Sequence, residues 1–471
     1  MFTPFSPVIR NLQYFRLLYH IFARFTRKIA PNSHRVCDFL TNAPLFVIIS
    51  DMSLTLAKFT PKNTIQTVSV PASKSLLNRA LVLAAFSGKT ITLLCGGLSE
   101  DTRAMLACLN ALGIPCTPLA DGVEIDGSRS PAKQAELDVK NAGTAARFLT
   151  VALAFYGGDY RFQASPQMAR RPMDVLRLLE EHGVQFEWAK KEYAFPFLMR
   201  SDGLKQAREF TVNTDTSTQY ASGLLLAAPL SSSPVQINLT GGRTNGTYID
   251  MSLKLLRDFG ARYERNGDTV TVCPALDPPT RYEVEADVSG ACYFYALALL
   301  FSCKILVKGI RLDSAQSDVQ FLRLLESKGV HFTQTETGLL ADASAVTSFT
   351  GFDADMKDFS DQTLTAAALA PFATTPSCLR GVSHIRKQEC DRVQAIVTNL
   401  NALGVPAQTD GDKIDILPST VRGGTVQCFG DHRVAMSFAL TALKTGNITL
   451  DDPACCKKTF ENYFEILQSL R

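Results

Sequence analysis

Six short stretches of this 471-residue chain place ionisable or hydrogen-bonding side chains just ahead of an apolar run. They are Ser73, Lys74, Ser75 and Arg79; Asn141, Gly143, Thr144 and Arg147; Ser217, Thr218 and Gln219; Asp287 and Ser289; Asp361; and Asp431, His432 and Arg433. A helix begins with unpaired N–H groups and a partial positive charge, so several such ends converging make an anion site without a metal. Capping accounts for the serines, threonines and aspartates. It does not account for Lys74, Arg79, Arg147 and Arg433, because the dipole repels cations in or near a first turn; an anionic ligand would offset that repulsion.

A second group of charges lies outside these stretches: Arg170 and Arg171 in "ARRPM", Arg386, Lys387, Glu389, Asp391 and Arg392 in "IRKQECDR", and Lys457 and Lys458 in "CCKKTF". Such clusters are most often solvated faces. Arginine forks, however, suit phosphate and carboxylate, and acids beside them can move protons. The sequence lacks G-x-x-x-x-G-K-[ST], G-x-G-x-x-G after a strand, H-E-x-x-H and G-x-S-x-G. The residues alone point to a cationic cleft for a small ligand bearing several negative charges, with no metal and no cofactor.

Two alternating kinds of segment must position these residues. One is apolar on every side, as in "LNRALVLAAF", "TAARFLTVALAF", "ACYFYALALLF" and "HRVAMSFALTAL", the pattern of a helix enclosed by protein. The other is an amphipathic helix closed by a glycine and followed by a hairpin, as in "RPMDVLRLLEEHGVQFEW" and "YIDMSLKLLRDFGARYERNGDTVTV". Together they predict an α/β chain of six repeats, each of roughly 70 residues, folded into a few globular lobes, with two lobes of three repeats each as the simplest division. The last repeat retains only its closing helix, "KKTFENYFEILQSL".

Composition sets outer bounds. With 46% hydrophobic and 20% charged residues, the chain can bury a large core. The net charge of +3 is concentrated before Met52, where six basic residues face two acids; the remainder is near −1 and offers no global field for nucleic acid or membrane. Twelve scattered cysteines without a C-x-x-C pair read as reduced residues in a cytosol. No apolar run reaches the roughly 18 residues of a membrane helix. Residues 1–51 are expected to be an extension outside the fold, a cleaved targeting peptide being the alternative.

The ordered motifs "VPASKSLLNRALVLAA", "NAGTAARFLT", "RRPM", "STQYASGLLLAAPL", "YIDMSLKLLRDFG", "SDQTLTAAALAPFA", "RKQECDR", "GDHRVAMSFAL" and "KKTF" resemble the 5-enolpyruvylshikimate-3-phosphate synthase family of enolpyruvyl transferases, from Met52 to the C-terminus. The resemblance implies two lobes of three βαβαββ units, one formed by 73–285 and the other by 52–72 plus 286–471. It implies transfer of an enolpyruvyl group from phosphoenolpyruvate to the 5-hydroxyl of shikimate 3-phosphate, in aromatic amino acid biosynthesis. It further implies a cytoplasmic monomer, plastid targeting by the extension being a minor alternative. By motif, Asp361 resembles the base and Glu389 the proton donor, with Lys74 bridging both substrates. Ser75, Arg79, Ser217, Thr218, Gln219, Tyr248, Asp361, His384 and Gln388 map to the shikimate 3-phosphate set. Gly143, Arg171, Gln219, Arg392, Arg433 and Lys458 map to the phosphoenolpyruvate set, with Asn141, Thr144 and His432 lining the site. Gln388 stands where the family usually has lysine, Asn245 where a serine often binds phosphate, Gln167 where arginine is common, and Ala72 where glycine is usual. Gln388 removes a cation from the shikimate side, and the side chain of Lys387 is expected to point elsewhere. The rival readings are a sister transferase acting on UDP-N-acetylglucosamine and a non-catalytic anion-binding protein.

Overall fold

The computed structural model describes residues 49–50, 53–62, 64–204 and 209–470. The chain divides into Met1–Val47 and Ile48–Arg471, and all described residues belong to the second unit. The extension expected over 1–51 therefore lies outside the described residues, except for Ile49–Ser50.

Six four-stranded sheets form the framework, and one wiring pattern recurs in all of them. Gln134–Asp138 runs parallel to Gly158–Gln163, with a buried helix, Gly143–Tyr156, connecting the two. Phe197–Ser201 and then Gln185–Trp188 add antiparallel. Each of the other five sheets likewise has one parallel pair and two antiparallel ones.

Three sheets draw strands from distant parts of the chain. Thr90–Leu94 has Arg281–Glu283 as its parallel partner, and Lys304–Lys308 has Gln66–Val68. In the sixth sheet, Ile448–Leu450 pairs with Ser53–Leu56, which in turn pairs with Ile49–Ser50. The last repeat is thus not reduced to a closing helix: the start of the chain supplies its hairpin. Three sheets hold only strands between Thr90 and Glu283 and the other three hold the rest, giving two lobes. The two connections between them run side by side: Ala72 bridges Ala286, Ser73 N–H donates to Glu285 O at 2.8 Å, and Asp287 N–H donates to Pro71 O at 2.9 Å.

The six buried helices are α1 Lys74–Ala85, α2 Gly143–Tyr156, α3 Thr218–Ala227, α4 Val288–Phe301, α5 Thr363–Leu369 and α6 His432–Thr445. Their alanines and leucines are almost wholly excluded from solvent, which is why all sides of these helices can be apolar. Helices α2 and α3 approach closely at Gly223, where a Cβ would stand 3.2 Å from Val151 Cγ2. Side chains cap only three of the six: Ser217 accepts from Gln219 N–H, Asp287 from Gly290 N–H and Asp431 from Arg433 N–H. The amphipathic helices stop where a glycine takes positive φ, at Gly113, Gly183, Gly260, Gly329 and Gly404. The eleven described cysteines are free. No helix among the described residues is long and apolar enough to cross a membrane.

Candidate active site

Five of the six buried-helix mouths open onto one cleft, through Lys74 and Ser75, Thr144 and Arg147, Ser217 to Gln219, Ser360 and Asp361, and His432 and Arg433. The sixth, with Asp287 and Ser289, lines an adjoining hollow that also touches Lys74, Ser75 and Arg433. The cleft further gathers Arg171, Tyr248, His384, Gln388, Glu389 and Arg392.

Arg392 organises the centre. Its Nη1 lies 2.8 Å from Asp361 Oδ1, its Nη2 3.0 Å from Glu389 Oε2, and its Nε 2.7 Å from the fully buried Asp431. Gln388 Oε1 also accepts from Nη1. Asp361 receives two further contacts, Arg433 Nη2 at 2.7 Å and the Tyr248 hydroxyl at 2.9 Å. Glu389 Oε1 is 2.7 Å from Lys458 Nζ and 3.7 Å from Arg171.

These contacts set the charge states. Burial works to raise the Asp361 carboxyl, but Arg433 and Arg392 outweigh it and hold the group below its usual range. For Glu389 the same burial is outweighed by Lys458, Arg171 and Arg392, and the carboxyl sits well below its usual range. Burial, with Arg243 close by, pushes His384 down to about 4. His432, fully enclosed and beside Arg433, is held well below the ordinary histidine value.

Four residues from the resemblance do not reach the cleft wall, and one of them, Asn141, donates to Gln167 Oε1 and lines a separate hollow that also takes in Lys458. Arg79 is buried, donates to Ser252 Oγ, Ser75 O, Ser222 Oγ and Tyr248 O, and lies over the Phe148 ring. Lys74 and Arg79, five residues apart, are about 140° apart around a helix, so the two cannot share a face. Gly143 sits behind two cations: a Cβ there would be 2.7 Å from Arg147 Nη1 and 2.9 Å from Arg171 Nη1. Lys458 stands behind Glu389. Asn245 is exposed and accepts from Arg265 at 2.6 Å, while Gln167 donates across to Glu389 O at 2.7 Å.

Other residues enter that the sequence reading left out. Lys387, expected to point elsewhere, lines the cleft, as do Arg243 and Lys357. Arg147, noted only as a helix-mouth cation, donates to Gln219 Oε1 at 2.9 Å and Pro172 O at 2.9 Å. Asp101, 4% exposed, pairs with Lys74 at 2.9 Å. Arg243 and Lys357 lie in loops without hydrophobic period, and periodicity carries no signal there.

The sequence model of a family described as EPSP synthase (3-phosphoshikimate 1-carboxyvinyltransferase) matches residues 60–467. The chain belongs to this family. Among similar EPSP synthase sequences, the 3-phosphoshikimate 1-carboxyvinyltransferase of Nostoc punctiforme is 36% identical over 405 residues, covering 84% of this chain and 94% of that protein. The one from Bordetella bronchiseptica is 35% identical over 423 residues, covering 86% and 95%. Among solved structures, EPSP synthase from Acinetobacter baumannii superposes with a TM-score of 0.72 at 21% identity, over 89% of this chain and 98% of that one. The enolpyruvyl transferase NikO from Streptomyces tendae gives 0.70 at 17%, over 89% and 97%. At such identities these structures speak for the shared EPSP synthase fold alone.

Proposed function

We propose that Asp361 and Glu389 move the protons in this cleft, with shikimate 3-phosphate seated against Ser217 and Thr218 and phosphoenolpyruvate against Arg171, Arg392 and Arg433, Lys458 acting from behind Glu389. The reaction is transfer of the enolpyruvyl group of phosphoenolpyruvate to the 5-hydroxyl of shikimate 3-phosphate, with release of phosphate. The observation that carries the assignment is that both acids are held on opposite nitrogens of one guanidinium, Arg392.

Asp361, kept ionised, accepts the proton of the 5-hydroxyl, whose oxygen bonds to C2 of phosphoenolpyruvate. C3 takes a proton from Glu389, giving the tetrahedral adduct. Elimination returns a proton from C3 to Glu389, breaks the bond between C2 and the phosphate oxygen, and releases phosphate. Glu389 is held ionised as the anion paired with Lys458, Arg171 and Arg392. The phosphate and carboxylate of phosphoenolpyruvate neutralise those cations on binding, which raises the Glu389 pKa and lets it carry the proton it must donate. Lys74, held by Asp101, faces both substrates. Arg79 and Gly143 act indirectly, Arg79 by fixing α1 to Ser222 and Ser252, and Gly143 by leaving room for Arg147 and Arg171.

The lobe limits 73–285 and 52–72 plus 286–471 are supported by the sheet memberships and by the Ala72–Ala286 bridge. A cytoplasmic location is supported by the free cysteines. Family membership favours the shikimate substrate over the UDP-N-acetylglucosamine rival. The binding-only rival is separated by Asp361→Asn and Glu389→Gln. Each should lower phosphate release by about 10²–10⁴-fold, while calorimetric affinity for shikimate 3-phosphate stays within a few-fold. Unchanged turnover in both would overturn the assignment.

A further inference from the structure

Asp361, Glu389 and Asp431 each have a cation at 2.7 Å. Asp318 lies behind them, 2% exposed and just ahead of the amphipathic helix Val319–Glu326, and forms no ion pair among the described residues. Both of its side-chain hydrogen bonds fall on one oxygen. Ser289 Oγ, in the first turn of α4, and Gln362 Nε2, at 3.0 Å, donate to Oδ2, while the enclosed Oδ1 has no hydrogen-bond partner. A buried carboxylate oxygen without a donor is costly, which favours a proton on it.

Asp318 is joined to the turn that carries Asp361. Gln362 follows Asp361 in the turn Ser360–Gln362, is wholly buried, and accepts from the Thr365 hydroxyl at 2.9 Å. Gln316 Oε1 accepts from Val288 N–H at 3.1 Å, and Cys292 Sγ donates to Asp318 O at 3.6 Å, so the segment 316–318 is fastened to the mouth of α4. The charged and titratable groups that face Asp318 come from several elements. They are Asp361 on the turn, Arg433 on α6, Tyr248 from the other lobe, and Cys292 on α4 with Asp287 at its mouth. Burial and then Asp361 lift the Asp318 carboxyl to about 6, against the pull of Arg433.

Burial favours a proton on Asp361, but Arg433 and Arg392 outweigh it, which makes the group a weak base. A like charge close by works against those cations. On the functional reading above, we infer that Asp318 is a positioning residue for the base Asp361: it fixes the turn through Gln362, and its carboxylate, by repulsion, strengthens Asp361 as a base. Asp318 does not line the cleft and touches neither substrate. A proton on Asp318 leaves Asp361 ionised but less basic, so turnover falls before Asp361 itself is protonated, and the two acids titrate as a pair.

The test uses the full chain with Asp318→Asn and Ser289→Ala, in which kcat is followed against pH and KM is measured for each substrate. Asp318→Asn should lower the plateau of kcat by up to about tenfold and leave both KM values within about twofold. It should also move the acid limb of kcat to lower pH by about one pH unit, because the upper of the two protonation steps is gone. Ser289→Ala removes a donor to the ionised Asp318 and should move the limb to higher pH instead. A merely structural role lowers activity without moving the limb, so an unmoved limb in Ser289→Ala, or in both variants, would overturn the inference. That variant also decides the matter if Asp318→Asn does not fold.

Melting gives a readout that needs no turnover. The folded Asp318 carboxyl is held above its ordinary 3.8, so its contribution to stability is lost as pH rises from 3.8 to about 6. Asp318→Asn should therefore raise the melting temperature more at about pH 8 than at about pH 5, and by less in an Asp361→Asn background. The same gain in both backgrounds would overturn the coupling of the two acids. A wild-type chain that binds shikimate 3-phosphate but releases no phosphate would instead count against the catalytic reading.

Discussion

Arg392 holds three carboxylates on one guanidinium while only 1% of it is exposed. A buried charge cluster of this kind is costly unless every member is paired, and here each acid has at least one cation. The pairing makes stability depend on pH in a definite direction. Asp361 and Glu389 are depressed, so their stabilisation is present above the ordinary carboxylate range and is lost as acid protonates them. His384 is depressed from 6.5 to about 4. Across that interval the unfolded chain binds a proton that the folded chain refuses, and stability falls as pH drops from about 6.5 to about 4. His432 adds to this fall from the same upper limit. His384→Gln should flatten the decline of melting temperature over pH 6.5 to 4 in part, leaving the contribution of His432; an unchanged slope would contradict the assignment. At this scale the sequence was uneven. Asp361, Glu389 and Arg392 stood in short motifs, whereas the inward turn of Arg79 depended on helix phase. The partnership of Asp101 with Lys74 depended on a tertiary contact across 27 positions.

Among the elements, helices were the most legible. An all-apolar run has one physical explanation, enclosure, and a leucine stripe ending in glycine marks both the covered face and the stop. The strand swaps were not legible, because a strand's own residues do not say which sheet accepts it. Gln66–Val68 joins the sheet of Lys304–Lys308, and the early hairpin completes the last sheet. The close approach of α2 and α3 gives a further expectation. With a Cβ at Gly223 already 3.2 Å from Val151 Cγ2 and 3.4 Å from Arg147 O, a larger side chain must push the helices apart. Gly223→Leu should cost about 1–3 kcal/mol in urea unfolding and, because Arg147 lies on the displaced helix, should also lower turnover. An unchanged unfolding midpoint would show that the interface is loose.

For the whole molecule, the two lobes share one site. Gln167 and Tyr248, from one lobe, bond Glu389 O and Asp361 Oδ2 of the other, so the arrangement described is a closed one. The antiparallel connections at Ala72 and Ala286 are the covalent links across which the lobes would open, and closing excludes water from the adduct. Between the lobes Glu389 meets Arg171 at 3.7 Å, whereas the cations on Asp361, Arg392 and Arg433, come from its own lobe. The most direct measurement is phosphate release by the full chain given phosphoenolpyruvate with shikimate 3-phosphate, unphosphorylated shikimate or UDP-N-acetylglucosamine in turn. The account predicts rapid release with shikimate 3-phosphate, far slower release with unphosphorylated shikimate and none with the nucleotide sugar. Release with the nucleotide sugar, or none with shikimate 3-phosphate from folded protein that binds it, would contradict the account.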